Sequence, residues 1–140
     1  MKWLLDTNIV VDVLSKRNGY EDSFRLLQYC EADQAAGFIS ATTVTDVVYI
    51  LRKYIPPETV RDAIKTLLTI LDVADVLKSD ISAAFLSGMA DLEDAVQASC
   101  ANRIRADYIV TRDIRDFKNG VVPAILPEDM ITIMKNSQTH

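Results

Sequence analysis

Residues 3–14 read Trp-Leu-Leu-Asp-Thr-Asn-Ile-Val-Val-Asp-Val-Leu, and this stretch decides the fold. Trp3-Leu4-Leu5 is a short apolar run that stops at a carboxylate, Asp6. From Asn8 to Leu14 the apolar residues Ile9, Val10, Val13 and Leu14 fall at helical spacing. A buried strand therefore runs straight into a helix, with Asp6 at the junction. The same change of period recurs at Phe38-Ile39-Ser40 ahead of a helix over Thr42–Tyr54, and at Tyr108-Ile109-Val110 ahead of Thr111-Arg112-Asp113. Strands that alternate with helices build parallel sheets covered on both faces.

The remaining punctuation agrees with that scheme. Asn18-Gly19 stops the first helix, and Glu21–Ala36 reads as a second, closed by Gly37. Pro56-Pro57 breaks the third helix, and Pro57 opens a fourth that runs to about Thr69. Ile70–Val76 reads as a strand, and Ser79 as the cap of a helix through Met89. Asp91–Arg105 is a helix, Asp113–Phe117 a turn or short helix, Ile125-Leu126 an edge strand and Pro127 the start of a terminal helix. The expectation is one α/β domain over residues 1–140, a central parallel β-sheet flanked by α-helices on both faces. Ligands of such sheets bind beyond the carboxyl ends of the strands. The decisive residues are then Asp6-Thr7-Asn8, Ser40–Asp46 and Thr111-Arg112-Asp113.

Composition narrows the chemistry. Of 140 residues, 49% are apolar and 25% charged, ordinary proportions for a globular chain. Fifteen basic residues against 20 acidic ones leave a charge of −5, so any polyanion must be held by a local basic patch or by cations. The one histidine is His140, the last residue, which excludes Ser–His and Cys–His catalysis and a His-based zinc site. Cys30 and Cys100 sit in apolar helical patterns and read as buried free thiols, in keeping with a cytoplasmic protein. Asp6 and Asp12 interrupt the apolar start, so no signal peptide is expected, and no run of about 18 apolar residues spans a membrane.

Four carboxylates from distant segments, Asp6, Asp46, Asp94 and Asp113, fall at or near the carboxyl rim of the expected sheet. Such charges share a small space only with protons or cations, and oxygen donors without His or Cys favour Mg²⁺ or Mn²⁺. Each also has a purely structural reading. Asp6 caps a helix; Thr43–Asp46 has capping-box spacing; Asp91 caps a helix whose first turn holds Asp94; Asp113 and Asp116 are turn residues.

Taken together, Leu4-Leu5-Asp6-Thr7-Asn8, Thr43–Asp46, Asp91-Leu92-Glu93-Asp94-Ala95 and Ile109-Val110-Thr111-Arg112-Asp113 with Asp116-Phe117 resemble the PIN-domain ribonucleases over nearly the whole chain. The resemblance implies Mg²⁺ or Mn²⁺ held by Asp6, Asp94 and Asp113, and hydrolysis of RNA phosphodiesters. Asp46 stands where the family usually has Glu; Asn8, Asp91, Thr111 and Asp116 match supporting positions. Many short members are toxins of toxin–antitoxin pairs, so an antitoxin partner and a homodimer are implied as well. For single-stranded RNA the candidate cationic contacts are Arg52-Lys53, Arg103 with Arg105, and Arg112 with Arg115 and Lys118. Two other readings compete: a non-catalytic binding module of the same fold, and a haloacid-dehalogenase-like phosphatase. The latter is disfavoured because Asn8 stands where that class carries its acid.

Overall fold

The computed structural model describes residues 1–138, so His140 lies outside the described residues. Strand β1 (Lys2–Leu5) leads into α1 (Thr7–Ser15), followed by α2 (Tyr20–Glu31), β2 (Ala36–Ser40), α3 (Ala41–Leu51) and α4 (Pro57–Leu67). The chain continues through β3 (Asp72–Ala74), α5 (Lys78–Leu86), α6 (Leu92–Arg103) and β4 (Tyr108–Val110). A 3-10 turn at Ile114–Phe117, β5 (Ala124–Ile125) and α7 (Pro127–Gln138) complete it.

The five strands form one all-parallel sheet in the order β3-β2-β1-β4-β5. The chain winds outward from β1 through β2 to β3, then crosses back to lay β4 on the other side of β1. The switch point of the topology therefore lies between the carboxyl ends of β1 and β4, with Leu5 paired to Val110 and the Asp6 N–H donating to Val110 O at 2.9 Å.

Alternation along β1 sorts the two faces. Trp3 and Leu5 pack with residues of α1, α2, α3, α4 and α7, while Leu4 packs with Ile109, Ala101 of α6 and Phe117. Both faces are thus covered, and all three β1 residues are fully buried. Each contributes about 1.5–3 kcal/mol of apolar burial. Helix α5 lies outside α6, where Ala84 meets Ala95, Val96 and Cys100.

Several boundaries differ from the expectation. Helix α2 ends at Glu31, because Asp33 takes the left-handed conformation (φ 58°) and turns the chain early. Gly37 is then a strand residue, not a helix stop. A Cβ there would stand 2.6 Å from Leu71 Cδ2 and 2.7 Å from Cys30 Sγ, so only glycine lets β2 pass beneath α2. Helix α1 closes at Lys16 (φ 54°) before Asn18-Gly19, and α5 begins at Lys78, with Asp80 rather than Ser79 accepting the Leu77 N–H at 2.9 Å.

Candidate functional site

Asp6 occupies the N-cap position of α1 but makes no capping hydrogen bond. Its carboxylate is 3% exposed and is held from elsewhere. Gln97 Nε2 of α6 donates to Oδ1 at 3.1 Å, and Thr111 Oγ1, just past β4, donates to Oδ2 at 2.8 Å. Burial lifts its pKa above the usual carboxylate value; the Thr111 and Gln97 donors oppose that rise and the charge of Asp113 adds to it. The capping account of Asp6 therefore fails, and a buried anion with two dedicated donors takes its place.

Two side chains fix this anion to its neighbours. Thr111 Oγ1 also accepts the Asp113 N–H at 3.0 Å, so one hydroxyl joins both aspartates of the switch point. Gln97 Oε1 accepts the Thr7 N–H at 3.3 Å, tying α6 to the first turn of α1. Thr7 Oγ1 in turn pairs with Thr43 Oγ1 at 2.8 Å, and Thr43 Oγ1 with Ser40 Oγ at 3.1 Å, which extends the polar chain to the start of α3.

Asp94 lies in the first turn of α6, where Asp91 Oδ1 accepts its N–H at 2.9 Å as the N-cap. Burial pushes the Asp94 carboxyl up to about 7, with the charges of Asp91, Asp6, Asp116 and Glu93 adding to it. A cavity of about 240 Å³ opens beside it, lined in part by Asp91, Asp94, Asp116, Arg115 and Lys118. Asp6, Asp91, Asp94, Asp113 and Asp116 thus act on one another across the rim. Asn8, half-exposed on α1, makes no hydrogen bond to any of them.

Asp46 lies deeper in α3 than expected, because Ser40 caps that helix by accepting the Thr43 N–H at 3.3 Å; the Thr43–Asp46 capping box does not form. Burial raises the Asp46 pKa. Its charge is felt chiefly by Glu93, whose own pKa it lifts. Among the described residues, no hydrogen bond joins Asp46 to Asp6, Asp94 or Asp113.

The cationic candidates separate. Arg112 is drawn inward: its Nε stands 2.8 Å from Asp12 Oδ2, with Arg17 Nη1 at 3.8 Å from the other oxygen. Asp12 is 1% exposed, and burial raises its pKa against the pull of Arg112 and Arg17. Arg103 is engaged by Asp80 (Nε–Oδ2 3.0 Å) and by the carbonyl of Asp75, the residue after β3, while Arg105 follows the end of α6 opposite to Asp94. Arg52 and Lys53 close α3, about 16 Å along the helix axis from where it leaves the sheet. Only Arg115 and Lys118 line the acidic cavity.

Sequence reasoning missed Gln97, Glu93, Thr43 and Asp12. Two of these carried a signal: Asp12 is a lone carboxylate in the apolar run Ile9–Leu14, and Gln97 falls three residues after Asp94, on the same side of α6.

A family model described as PIN domain matches residues 2–115. The chain belongs to the PIN-domain family. No curated protein matches it by sequence. Among solved structures, this PIN domain resembles VapBC from Salmonella typhimurium bound to DNA (TM-score 0.72, 18% identity, 91% of this chain and 98% of that one). It resembles equally VapBC2 from Rickettsia felis bound to a promoter DNA fragment (0.70, 21%, 90% and 98%). A third is VapC20 of Mycobacterium tuberculosis, a toxin that cleaves the sarcin–ricin loop (0.63, 13%, 76% and 86%). At these identities the likeness is one of fold.

The donor chemistry of the rim suits a hard divalent cation: its acidic side chains offer oxygen, and burial together with neighbouring charge raises the pKa of Asp6 and Asp94. Among the described residues, no three His, Cys, Asp or Glu side chains stand together as a ready-made metal cage. Also among those residues, no helix is long and apolar enough to cross a membrane.

Proposed function

We propose that this PIN domain is a Mg²⁺- or Mn²⁺-dependent ribonuclease that acts as the toxin of a toxin–antitoxin pair. The observation that supports the reading is the Thr111 hydroxyl joining Asp6 to Asp113 at the switch point, beside an Asp94 carboxyl lifted to about 7 by burial and surrounding acids, Asp6 among them. Buried carboxyls whose pKa values are raised in this way gain stability from a bound cation.

In this reading Asp6, Asp94 and Asp113 hold the metal, and Asp116 and Asp91 add negative charge around it. When bound, the metal neutralises the scissile phosphate and lowers the pKa of a water. The chain's own residues hold the frame. Thr111 keeps Asp6 and Asp113 in register, Gln97 orients Asp6 and locks α6 to α1, and Asp91 fixes the turn that carries Asp94. Asp46 acts from the outer shell through Glu93. Arg115 and Lys118, on the wall of the acidic cavity, meet the RNA backbone. The toxin assignment, with an antitoxin partner, draws support from the VapBC complexes that share the fold.

The test is cleavage of a generic single-stranded RNA by the purified chain with Mg²⁺, with Mn²⁺ and with EDTA, using Asp6→Asn as a control against contaminating nuclease. Metal-dependent cleavage that Asp6→Asn abolishes is the expected result. Metal-independent cleavage, or equal cleavage by Asp6→Asn, overturns the metal-site reading. No cleavage under any condition favours a non-catalytic binding module of the same fold.

A further inference from the structure

Helix α3 carries a second feature that the acidic rim does not use. Its inward face is Thr43, Val47 and Leu51. At about 100° per residue, Asp46 and Tyr49 lie on a different stripe, about 60° apart. Tyr49 stands about 4.5 Å beyond Asp46 along the axis, and Arg52 and Lys53 follow the last helical residue, Leu51. Helix α3 leaves the carboxyl end of β2, so Tyr49 and the residues after it lie farther from the acidic rim than Asp46 does.

The stripe is open and cationic. Tyr49 is 65% exposed, and the Arg52 guanidinium lies 3.6 Å from its ring centroid. Arg52 Nη1 also donates to the Tyr49 carbonyl, which holds the guanidinium over the ring. Just beyond the helix, Tyr54 is 77% exposed. Two open rings interleaved with Arg52 and Lys53 form the combination that binds single-stranded nucleic acid: planes for bases to stack on, cations for phosphates. In a chain of net charge −5, this is a place where a polyanion meets positive charge at the far end of the helix that starts at the rim.

We propose that Tyr49, with Arg52 stacked on it, Lys53 and Tyr54 form a base-stacking platform for the part of a single-stranded RNA flanking the scissile phosphate. The proposal rests on the ribonuclease reading for its ligand but concerns binding, and is tested apart from cleavage. A fluorescein-labelled single-stranded oligoribonucleotide is titrated in EDTA with the Asp6→Asn chain, alone and combined with Tyr49→Ala, Tyr49→Phe or Lys53→Ala, and affinity is read by anisotropy. Circular dichroism checks that the surface variants are folded.

Tyr49→Ala is expected to weaken binding on the order of tenfold, and Tyr49→Phe, which keeps the ring, to leave it within about twofold. Lys53→Ala lowers the slope of log affinity against log salt by about 0.7. An oligomer with abasic positions loses the sensitivity to Tyr49→Ala. Equal affinity of Tyr49→Ala and its parent, or no RNA binding by the parent, overturns the platform. So does RNA affinity that is kept while Tyr49→Ala loses a protein partner, which reassigns the surface. Absence of metal-dependent cleavage in the unsubstituted chain refutes the ribonuclease reading alone, since the anisotropy series is read without catalysis.

Discussion

Thr111→Val removes one oxygen from a fully buried position and changes almost nothing else in shape. The lost hydroxyl donates to Asp6 Oδ2 at 2.8 Å and accepts the Asp113 N–H at 3.0 Å. A hydrogen bond to a charged group contributes about 1.5–3 kcal/mol. The Asp113 N–H, on an exposed residue, recovers water and adds little. The expected loss is therefore about 2 kcal/mol at pH 7, or roughly 8 °C in Tm for a domain of this size. Thr111→Ser keeps the hydroxyl and loses only a methyl, about 1 kcal/mol.

The pH dependence gives a second reading of the same variant. The Thr111 hydroxyl favours ionised Asp6, whose folded pKa already lies above its unfolded value. Removing the hydroxyl lifts the folded pKa further. The deficit is full above that pKa and fades as pH falls below it, where both chains fold with Asp6 protonated. Urea unfolding at pH 7 and at acidic pH, in EDTA, measures both. A Thr111→Val chain within about 0.5 kcal/mol of its parent at pH 7, or a deficit that does not shrink on acidification, refutes the account of Asp6 as a buried anion held by Thr111.

Asp94→Asn should stabilise the metal-free protein. The folded carboxyl sits at about 7 against an ordinary 3.8, so its penalty is absent below about pH 4, grows between these values and is full above 7; after screening at this half-buried site, the gain at pH 8 is about 1–2 kcal/mol by calorimetry in EDTA. Asp46→Ala should cost little stability, because Ser40 already caps α3. If Asp46 supports the metal from the outer shell, titration calorimetry with Mn²⁺ will show affinity about 10–100-fold weaker in Asp46→Ala and kept in Asp46→Glu. Gly37→Ala should cost about 1–3 kcal/mol in urea unfolding, because its Cβ collides with Leu71 and Cys30.

Much of this molecule was legible from the chain alone where the signal is local. Trp3-Leu4-Leu5 and Tyr108-Ile109-Val110 announced buried strands, and the carboxylates after them emerge at the switch point. What escaped was tertiary. The end of α2 was misread because Gly37 resembles a helix stop, whereas Asp33 makes the turn and Gly37 is needed for close packing. The donors to Asp6 come from residues 97 and 111, and no spacing rule connects them to position 6. The ion pair of Arg112 with Asp12 was equally out of reach, since only the packing of α1 reveals that Asp12 is buried.

The two thiols carry a consequence for how this domain is handled. Cys30 and Cys100 are both buried, and burial pushes each thiol up to about 11. Thiolate, the reactive form, is therefore scarce at neutral pH, and no reagent reaches it in the closed state. Cys30 faces β2 from α2, against Gly37 in the main core, whereas Cys100 lies on α6 where that helix meets α5. Alkylation of each sulfur then counts a different opening event, global for Cys30 and limited to the α5–α6 layer for Cys100. The pair is a built-in clock, readable by mass spectrometry, that separates fraying of the outer helix from loss of the whole sheet.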